Sequence, residues 1–317
     1  MKLLLSLITL AVLGAALWST TGQPQPFADE ATHPGMVHVA AGRFVMGDST
    51  AEAERQQRSY GGAFDLYSAA VPQRTLDTPA FWIDRTEVTN AAYRVFVEQT
   101  GHRAPDDEHP WAAPYRWREG KPPAGQEDHP VTLVSFDDAQ AFCRWRGMEL
   151  PSEEQWEKAA RGTDGRRYPW GDSYDPQRLA GAQLRSGAPL DTIARWTEWW
   201  RLVYRGRMRG VEVGTYAVGR FPSGASPWGA LDMAGNVFEW VDAEFEPYPG
   251  NAVPHPDYNR GYKVVRGGDW YLDRIYQRAA ARLRAPVDHR VPTIGFRCAC
   301  PREGDTHAPL RAAAGTP

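Results

Sequence analysis

The chain is poor in cysteine, with three in 317 residues. None precedes Cys143, which excludes a lipid-modified cysteine near the N-terminus. It also lacks an excess of charge of either sign. Its 36 basic and 39 acidic side chains leave a net charge of −3 and a pI near 6.3, so no cationic field is available to collect counterions from a phosphate backbone. Nucleic acid is therefore not expected as a partner. No internal repeat or low-complexity tract is present. The eight histidines, His33, His38, His102, His109, His129, His255, His289 and His307, are scattered, and no pair has helical ligand spacing. His109 and His129 fall in proline-rich loops, where a hydrogen-bonding role is expected ahead of metal ligation.

Long apolar runs are confined to one place. Leu3 to Trp18 is apolar apart from Ser6 and Thr9, follows Met1 and Lys2, and is just short of the roughly 20 residues that span a bilayer. Residues 1–22 read as a signal peptide, cut after Ala16 or Gly22, or as an uncleaved anchor. Either places the remainder in the periplasm, free or held at the inner membrane. Residues 23–35 read as a polar linker and 301–317 as a disordered tail, which leaves 36–300 as one continuous domain.

Glycine, proline and tryptophan are abundant, at 30, 26 and 13 residues, so short elements, ordered loops and many stacking rings are expected. Three helices are legible. Thr89 is placed to cap a helix whose apolar face carries Ala92, Tyr93, Phe96 and Val97 and which Gly101 stops. Ser135 caps a second, with Ala139, Phe142 and Cys143 on one side and Gly147 at its end. Ser152 and Gln155 have capping-box spacing before Trp156, Ala159 and Ala160, and Gly162 terminates the third. Short strands are expected at Phe81 to Ile83 and Lys263 to Val265. The pattern is α+β with much irregular structure.

Seven blocks in order, GRFVMG, FWIDRTEVTNAAYRVFV, HPVTLVSFDDAQAFCRWRGMELPSEEQWEKAARG, YPWGD, WGALDMAGNVFEWV, VVRGGDW and IGFRCA, resemble the formylglycine-generating enzyme (sulfatase-modifying factor) family from about Met36 to Ala299. The resemblance implies a single domain with a complex C-type-lectin-like fold. Family members that make formylglycine carry two cysteines shortly after the RGG block, which bind copper. The matching positions here are Leu272 and Gln277. Soft Cu(I) needs soft ligands, which a leucine and an amide do not supply, so copper bound by two cysteines, and formylglycine generation with it, are not expected.

The resemblance also implies a Cys143–Cys298 disulfide, which export permits. A second disulfide of some relatives would fall at Ala160 and Ala279, and both partners are missing. Cys300 is left over, either as a reactive or intermolecular thiol or as an inert one. A calcium site is implied at Asp232, Gly235, Val237 and Glu239, two carboxylates and two carbonyls around a Gly-Asn turn, all hard oxygen donors. The family's other calcium site needs an asparagine that the segment RLAGAQL lacks. The HxxxHxE iron arrangement of the related sulfoxide synthases is also absent, and the identity of any redox metal is left open.

An insertion after Ala194, RWTEWWRLVYRGRMRG, holds three tryptophans, Trp199 among them, and five arginines. It reads either as an ordered loop covering the core or as a partner or substrate surface. The family's substrate groove lies over the segment after RGG, which here gathers Asp269, Trp270, Asp273, Tyr276 and Arg282 as a candidate catalytic pocket. The alternative for Arg282 and Asp269 is an internal ion pair.

Two functions compete. One is oxidative maturation of a peptide, siderophore precursor or periplasmic protein, as for the pyoverdine-maturation members. The other is a non-catalytic accessory role beside a periplasmic enzyme such as copper nitrite reductase.

Overall fold

The structure is a computed structural model, and it describes residues 33–204 and 214–300. The N-terminal apolar segment, most of the linker, the end of the tryptophan-rich insertion and the C-terminal tail lie outside the described residues.

Three small sheets carry the domain. Strand β1 (Met36–Val39) and strand β9 (Ala299–Cys300) flank β4 (Phe81–Asp84), both antiparallel to it, so the two ends of the domain meet on one central strand. All four residues of β4 are buried, which suits a strand covered on both faces. Strand β2 (Gly42–Met46) pairs with β3 (Arg74–Thr78). The third sheet has the order β7 (Leu283–Ala285), β6 (Lys263–Arg266), β5 (Phe238–Glu244), β8 (Ile294–Gly295), with β8 parallel to β5.

The three expected helices are present with their expected caps: α3 (Asn90–Thr100), α4 (Phe136–Trp145) and α5 (Glu153–Arg161), the last two opened by full capping boxes. Four others were not expected: α1 (Thr50–Tyr60), α2 (Asp65–Ser68), α6 (Ala182–Ser186) and α7 (Ile193–Tyr204). Helix α1 buries only Ala53, Gln56 and Tyr60, so its apolar period is hidden by a glutamine on the inner face. Its N-terminus was readable, since the Ser49 hydroxyl accepts from the Glu52 N–H. Helix α7 corrects the loop reading of the insertion: the stretch with Trp196, Trp199 and Trp200 is helical, and Trp199 is buried against Ala182 and Leu190.

Two cores sit back to back. One is largely aromatic, with Tyr93, Phe96, Phe142, Phe296 and Trp240 around the Cys143–Cys298 disulfide. The other holds Trp156, Ile83, Val241 and Val264, together with Ala160 and Ala279, where some relatives have a second disulfide. Helix α5 also carries buried charge. Glu153 accepts from Arg282 and Arg266, and Glu157 accepts from Arg161, Arg266 and the Gly47 N–H. Burial alone would raise the Glu157 carboxyl, yet Arg266, Arg161 and that N–H hold it below the ordinary range.

Cys143 and Cys298 are 155 residues apart, and closing a loop of that length stabilises by about 5 kcal/mol in the chain-entropy model. Mass mapping of the oxidised protein should recover this pair with Cys300 unpaired. Replacing both cysteines by serine should lower stability by roughly 2–5 kcal/mol in denaturant titration. Unchanged stability would show that the bond is incidental.

Candidate functional site

The RGG block turns the chain by its glycines. Gly268 has φ of +76°, and a Cβ there would lie 2.8 Å from the Gln277 side chain and 3.0 Å from the Tyr276 backbone. The loop after it folds back on itself. Asp269 Oδ1 accepts from the N–H groups of Tyr271 and Leu272, at 3.0 and 2.7 Å, and Asp273 Oδ1 accepts from Ile275 N–H at 2.9 Å. Gln277 closes the loop. Its Nε2 donates to the carbonyls of Asp269 and Leu272, at 3.3 and 3.2 Å, while its Oε1 accepts from the Tyr174 hydroxyl at 3.1 Å. The two positions that match the copper cysteines are thus neighbours, joined through an amide that has spent its donors on the backbone.

Both aspartates of this loop are buried. Burial pushes the Asp269 carboxyl up to about 8, against the opposing pull of the Leu272 and Tyr271 N–H groups. Burial also raises Asp273, to about 6, with the neighbouring Tyr60 hydroxyl, the Ile275 N–H, Arg274 and Arg278 holding it down. Two carboxyls raised by burial thus lie a few residues apart on the same loop.

On one side the loop is covered by rings. Trp196 Nε1 donates to the Tyr271 carbonyl at 2.8 Å, and the ring of Trp200 lies 4.7 Å from that of Tyr271. Trp111 packs edge-on against both Trp270 and Tyr271. Helix α7 is thus a lid on the segment after RGG. On the other side is a cleft of about 410 Å3, walled by Tyr60 of α1, by Arg167, Tyr168 and Tyr174 of the YPWGD region, and by Arg274 and Arg278 of the loop.

The five residues expected to form a pocket are therefore dispersed. Asp273 is close enough to Asp269 to add to the rise of its carboxyl, and it lies beside the Tyr60 hydroxyl. Trp270 belongs to the ring cluster, with Nε1 donating to the Pro292 carbonyl at 3.5 Å. Tyr276 packs edge-on against Phe238. Arg282 points the other way: it binds Glu153 through two nitrogens, at 2.7 and 3.1 Å, donates to the carbonyls of Ala69 and Glu246, and lies over Tyr248. The ion pair considered for Arg282 and Asp269 is accordingly replaced by one with Glu153. What sequence reading missed is the cleft wall. Arg274 and Arg278 were in view within the RGG block, whereas the tyrosines come from α1 and a distant loop that only the fold brings in.

Among the described residues no group of three or more His, Cys, Asp or Glu side chains is arranged to hold a metal ion. At the expected calcium turn, Glu239 accepts from Arg297 Nε and Nη2, at 2.6 and 2.8 Å, and from Trp156 Nε1 at 2.8 Å. Asp232 Oδ2 accepts from Gly219 N–H at 2.5 Å, and Gly235 has φ of +80° with its Cα turned against the Ala180 carbonyl. Beside Asp232 is Glu87, which sequence reading did not include. Its Oε1 accepts from Asn236, its buried Oε2 has no partner, and burial next to Asp232 pushes its carboxyl well upward. The oxygen donors left for a cation are thus Asp232, Glu87 and the turn carbonyls, with Glu239 already neutralised by Arg297. His109 caps a short turn by accepting from Trp111 N–H, and His129 Nδ1 is 2.8 Å from the Thr215 hydroxyl, so both make the hydrogen bonds expected of them. Burial raises the half-buried Cys300 thiol, which disfavours the reactive thiolate.

Residues 21–301 match the sulfatase-modifying factor enzyme 1-like domain. The chain belongs to the formylglycine-generating enzyme family. It is 31% identical over 321 residues to a formylglycine-generating enzyme of Streptomyces coelicolor, covering 89% of this chain and 94% of that protein. It is 30% identical over 240 residues to a hercynine oxygenase of Mycobacterium tuberculosis, covering 67% of this chain and 50% of the relative. The chain thus spans about half the length of some curated relatives and nearly all of others. Among solved structures, that of PvdO from Pseudomonas aeruginosa aligns with a TM-score of 0.57 at 22% identity, over 83% of this chain and 93% of PvdO, and supports the common fold. The α+β reading and the single C-type-lectin-like family domain hold. No helix among the described residues is long and apolar enough to cross a membrane.

Because the Asp269 carboxyl is raised from 3.8 to about 8, the folded protein keeps a proton that the unfolded chain releases. Its contribution to stability is full below about pH 4 and is lost as the pH climbs to about 8. An Asp269→Asn variant can still accept both N–H bonds and has nothing to ionise. Its melting temperature should match the wild type near pH 4 and exceed it by several degrees near pH 8. Parallel curves across this range would mean that Asp269 titrates normally.

Proposed function

We propose that this family member is an oxidative maturation enzyme that does not make formylglycine and acts in the periplasm on a peptide, siderophore precursor or protein. The observation that carries the reading is the pair of buried carboxyls, Asp269 and Asp273, both raised by burial, on the loop that carries the aromatic cover and borders the open cleft. Buried titratable groups beside a cleft are costly to keep, which makes them candidates for a working site. A relative named hercynine oxygenase supports an oxidative chemistry for the fold. The Leu272 and Gln277 positions argue against the formylglycine reaction, since neither side chain offers a thiolate.

The accessory reading has one observation in its favour. Gln277 fills the former cysteine position with a complete set of hydrogen bonds, as expected where the loop has become purely structural.

The two are separated by comparing periplasmic extracts of a deletion strain and its complemented parent by untargeted mass spectrometry. The enzyme reading expects a precursor that differs from its product by two hydrogens or one oxygen. Complementation with Asp273→Asn should reduce conversion at least about tenfold, the low end of what loss of an acid–base group costs. A sulfatase-motif peptide should be returned unchanged by the purified protein. A metabolome and proteome unaltered by deletion would support the accessory role, and conversion of the peptide would overturn the reading.

A calcium ion at the Asp232 turn is a second part of the proposal. The buried carboxyls of Glu87 and Asp232, set against one another and both raised by burial, support it, because a bound cation would let both ionise. Calcium at a hundredfold excess over its dissociation constant would stabilise by about 2.7 kcal/mol. The melting temperature should rise with calcium and fall with chelator in the wild type, and respond to neither in Asp232→Asn. A wild type indifferent to both would leave the turn a hydrogen-bonded corner.

A further inference from the structure

The cleft beside the RGG loop has a distinct chemistry. Its cations differ in what they are bound to. Arg278 is paired with Asp48 and donates its Nε to the Ile275 carbonyl, and Arg167 is paired with Glu52. Both are neutralised by the fold. Arg274 is not: its Nη2 donates to the Asp191 carbonyl at 3.0 Å, its guanidinium lies 5.4 Å from the Tyr60 ring centre, and no carboxylate is within ion-pair distance of it among the described residues. Of the carboxylates around it, Asp191 pairs with Arg195 and Asp172 accepts from the Arg167 N–H, while Asp273 accepts from the Ile275 N–H and meets Arg274 electrostatically without an ion-pair contact.

A guanidinium has five N–H donors in a planar fork, and here one is used by the protein. A carboxylate meets such a fork with two parallel bonds, which is stronger and more directional than a single contact. The remaining wall is mixed: Tyr60, Tyr168 and Tyr174 share it with the amides of Gln56 and Gln183, the hydroxyls of Ser59 and Ser173, and the carboxylates Asp172 and Asp191. Tyr168 is stacked on Trp170, and Tyr174 leans on Tyr168 at 5.5 Å. The volume of about 410 Å3 accommodates a single ring with a few substituents or one amino-acid residue.

We infer that this cleft binds a small planar carboxylate, with Arg274 receiving the carboxylate and the three tyrosines receiving the ring. This rests on the reading above insofar as such a group would be part of the substrate that the Asp269–Asp273 loop acts upon. Its evidence, the donor count of Arg274 and the tyrosine wall, is separate. Arg274 acts in binding and positioning.

The test uses 4-hydroxybenzoate and its neutral isostere 4-hydroxybenzamide as probes, titrated into the purified protein by calorimetry. The acid should bind at least about tenfold more tightly than the amide, as expected when a charge-assisted bidentate pair is lost. Arg274→Gln should remove that preference by weakening the acid alone, Arg274→Lys should keep part of it, and Arg118→Ala, in the separate cleft near Pro122, should change nothing. Melting temperatures near the wild type certify that the variants are folded. Equal affinity for acid and amide, full affinity of Arg274→Gln for the acid, or no heat with either probe would each overturn the inference. Binding is read without turnover, so a protein that binds the acid and converts nothing leaves this inference standing and removes only the enzymatic one.

Discussion

Burial of three carboxylates of α5 and β5 against four arginines is the constraint around which the domain is arranged. Glu153, Glu157 and Glu239 meet Arg282, Arg266, Arg161 and Arg297, and none of the seven is more than 6% exposed. Taking such charges out of water costs several kcal/mol each, recovered only when geometry and hydrogen bonding are complete. Completion requires distant parts of the chain. Arg297 spends all five N–H donors: two on Glu239 and three on the carbonyls of Asp84, Arg85 and Leu231. Arg266 reaches Glu153, Glu157 and the carbonyls of Ala279 and Ala280. A fold with strands this short gains little from its ladders, and the arginines bind its loops by their carbonyls instead.

What was legible in the sequence follows from the range of the forces involved. Helices α3 to α5 were readable to within a residue or so because caps and apolar period are local. Helix α7 was not, because its rings face both the α6 region and the RGG loop, and a helix apolar on more than one side has no clean stripe. The candidate pocket was half legible. Asp269 and Asp273 are brought to one loop as their spacing suggested, whereas Arg282, only nine residues after Asp273, is turned inward by Glu153 on a different element. Sequence proximity fixed the neighbourhood of those side chains and not their direction.

The same loop shows how a family scaffold can be closed by side chains alone. At the two positions that the family resemblance assigns to cysteines stand a leucine and a glutamine, and the glutamine keeps them together through the Leu272 carbonyl. Its amide is accommodated because Gly181 lacks a side chain, since a Cβ there would approach Gln277 Nε2 to 2.4 Å. The loop is thus closed by hydrogen bonds of its own amide and carboxylate side chains. Its two aspartates are displayed on a rigid frame, which is the condition for a site to be reused.

The central position of β4 bears on how the domain comes into being. It has β1 on one edge from the start of synthesis, but its other edge stays open until Ala299 and Cys300 leave the ribosome. Arg297, the cation that neutralises Glu239 beside the Asp232 and Glu87 carboxyls, arrives with the same last segment. As the chain emerges, the second edge of β4 stays unpaired and Glu239 uncompensated until residues 297–300 are available. The closing strand and the neutralising arginine thus complete the two ends of the domain together, and a chain truncated before residue 297 would lack both.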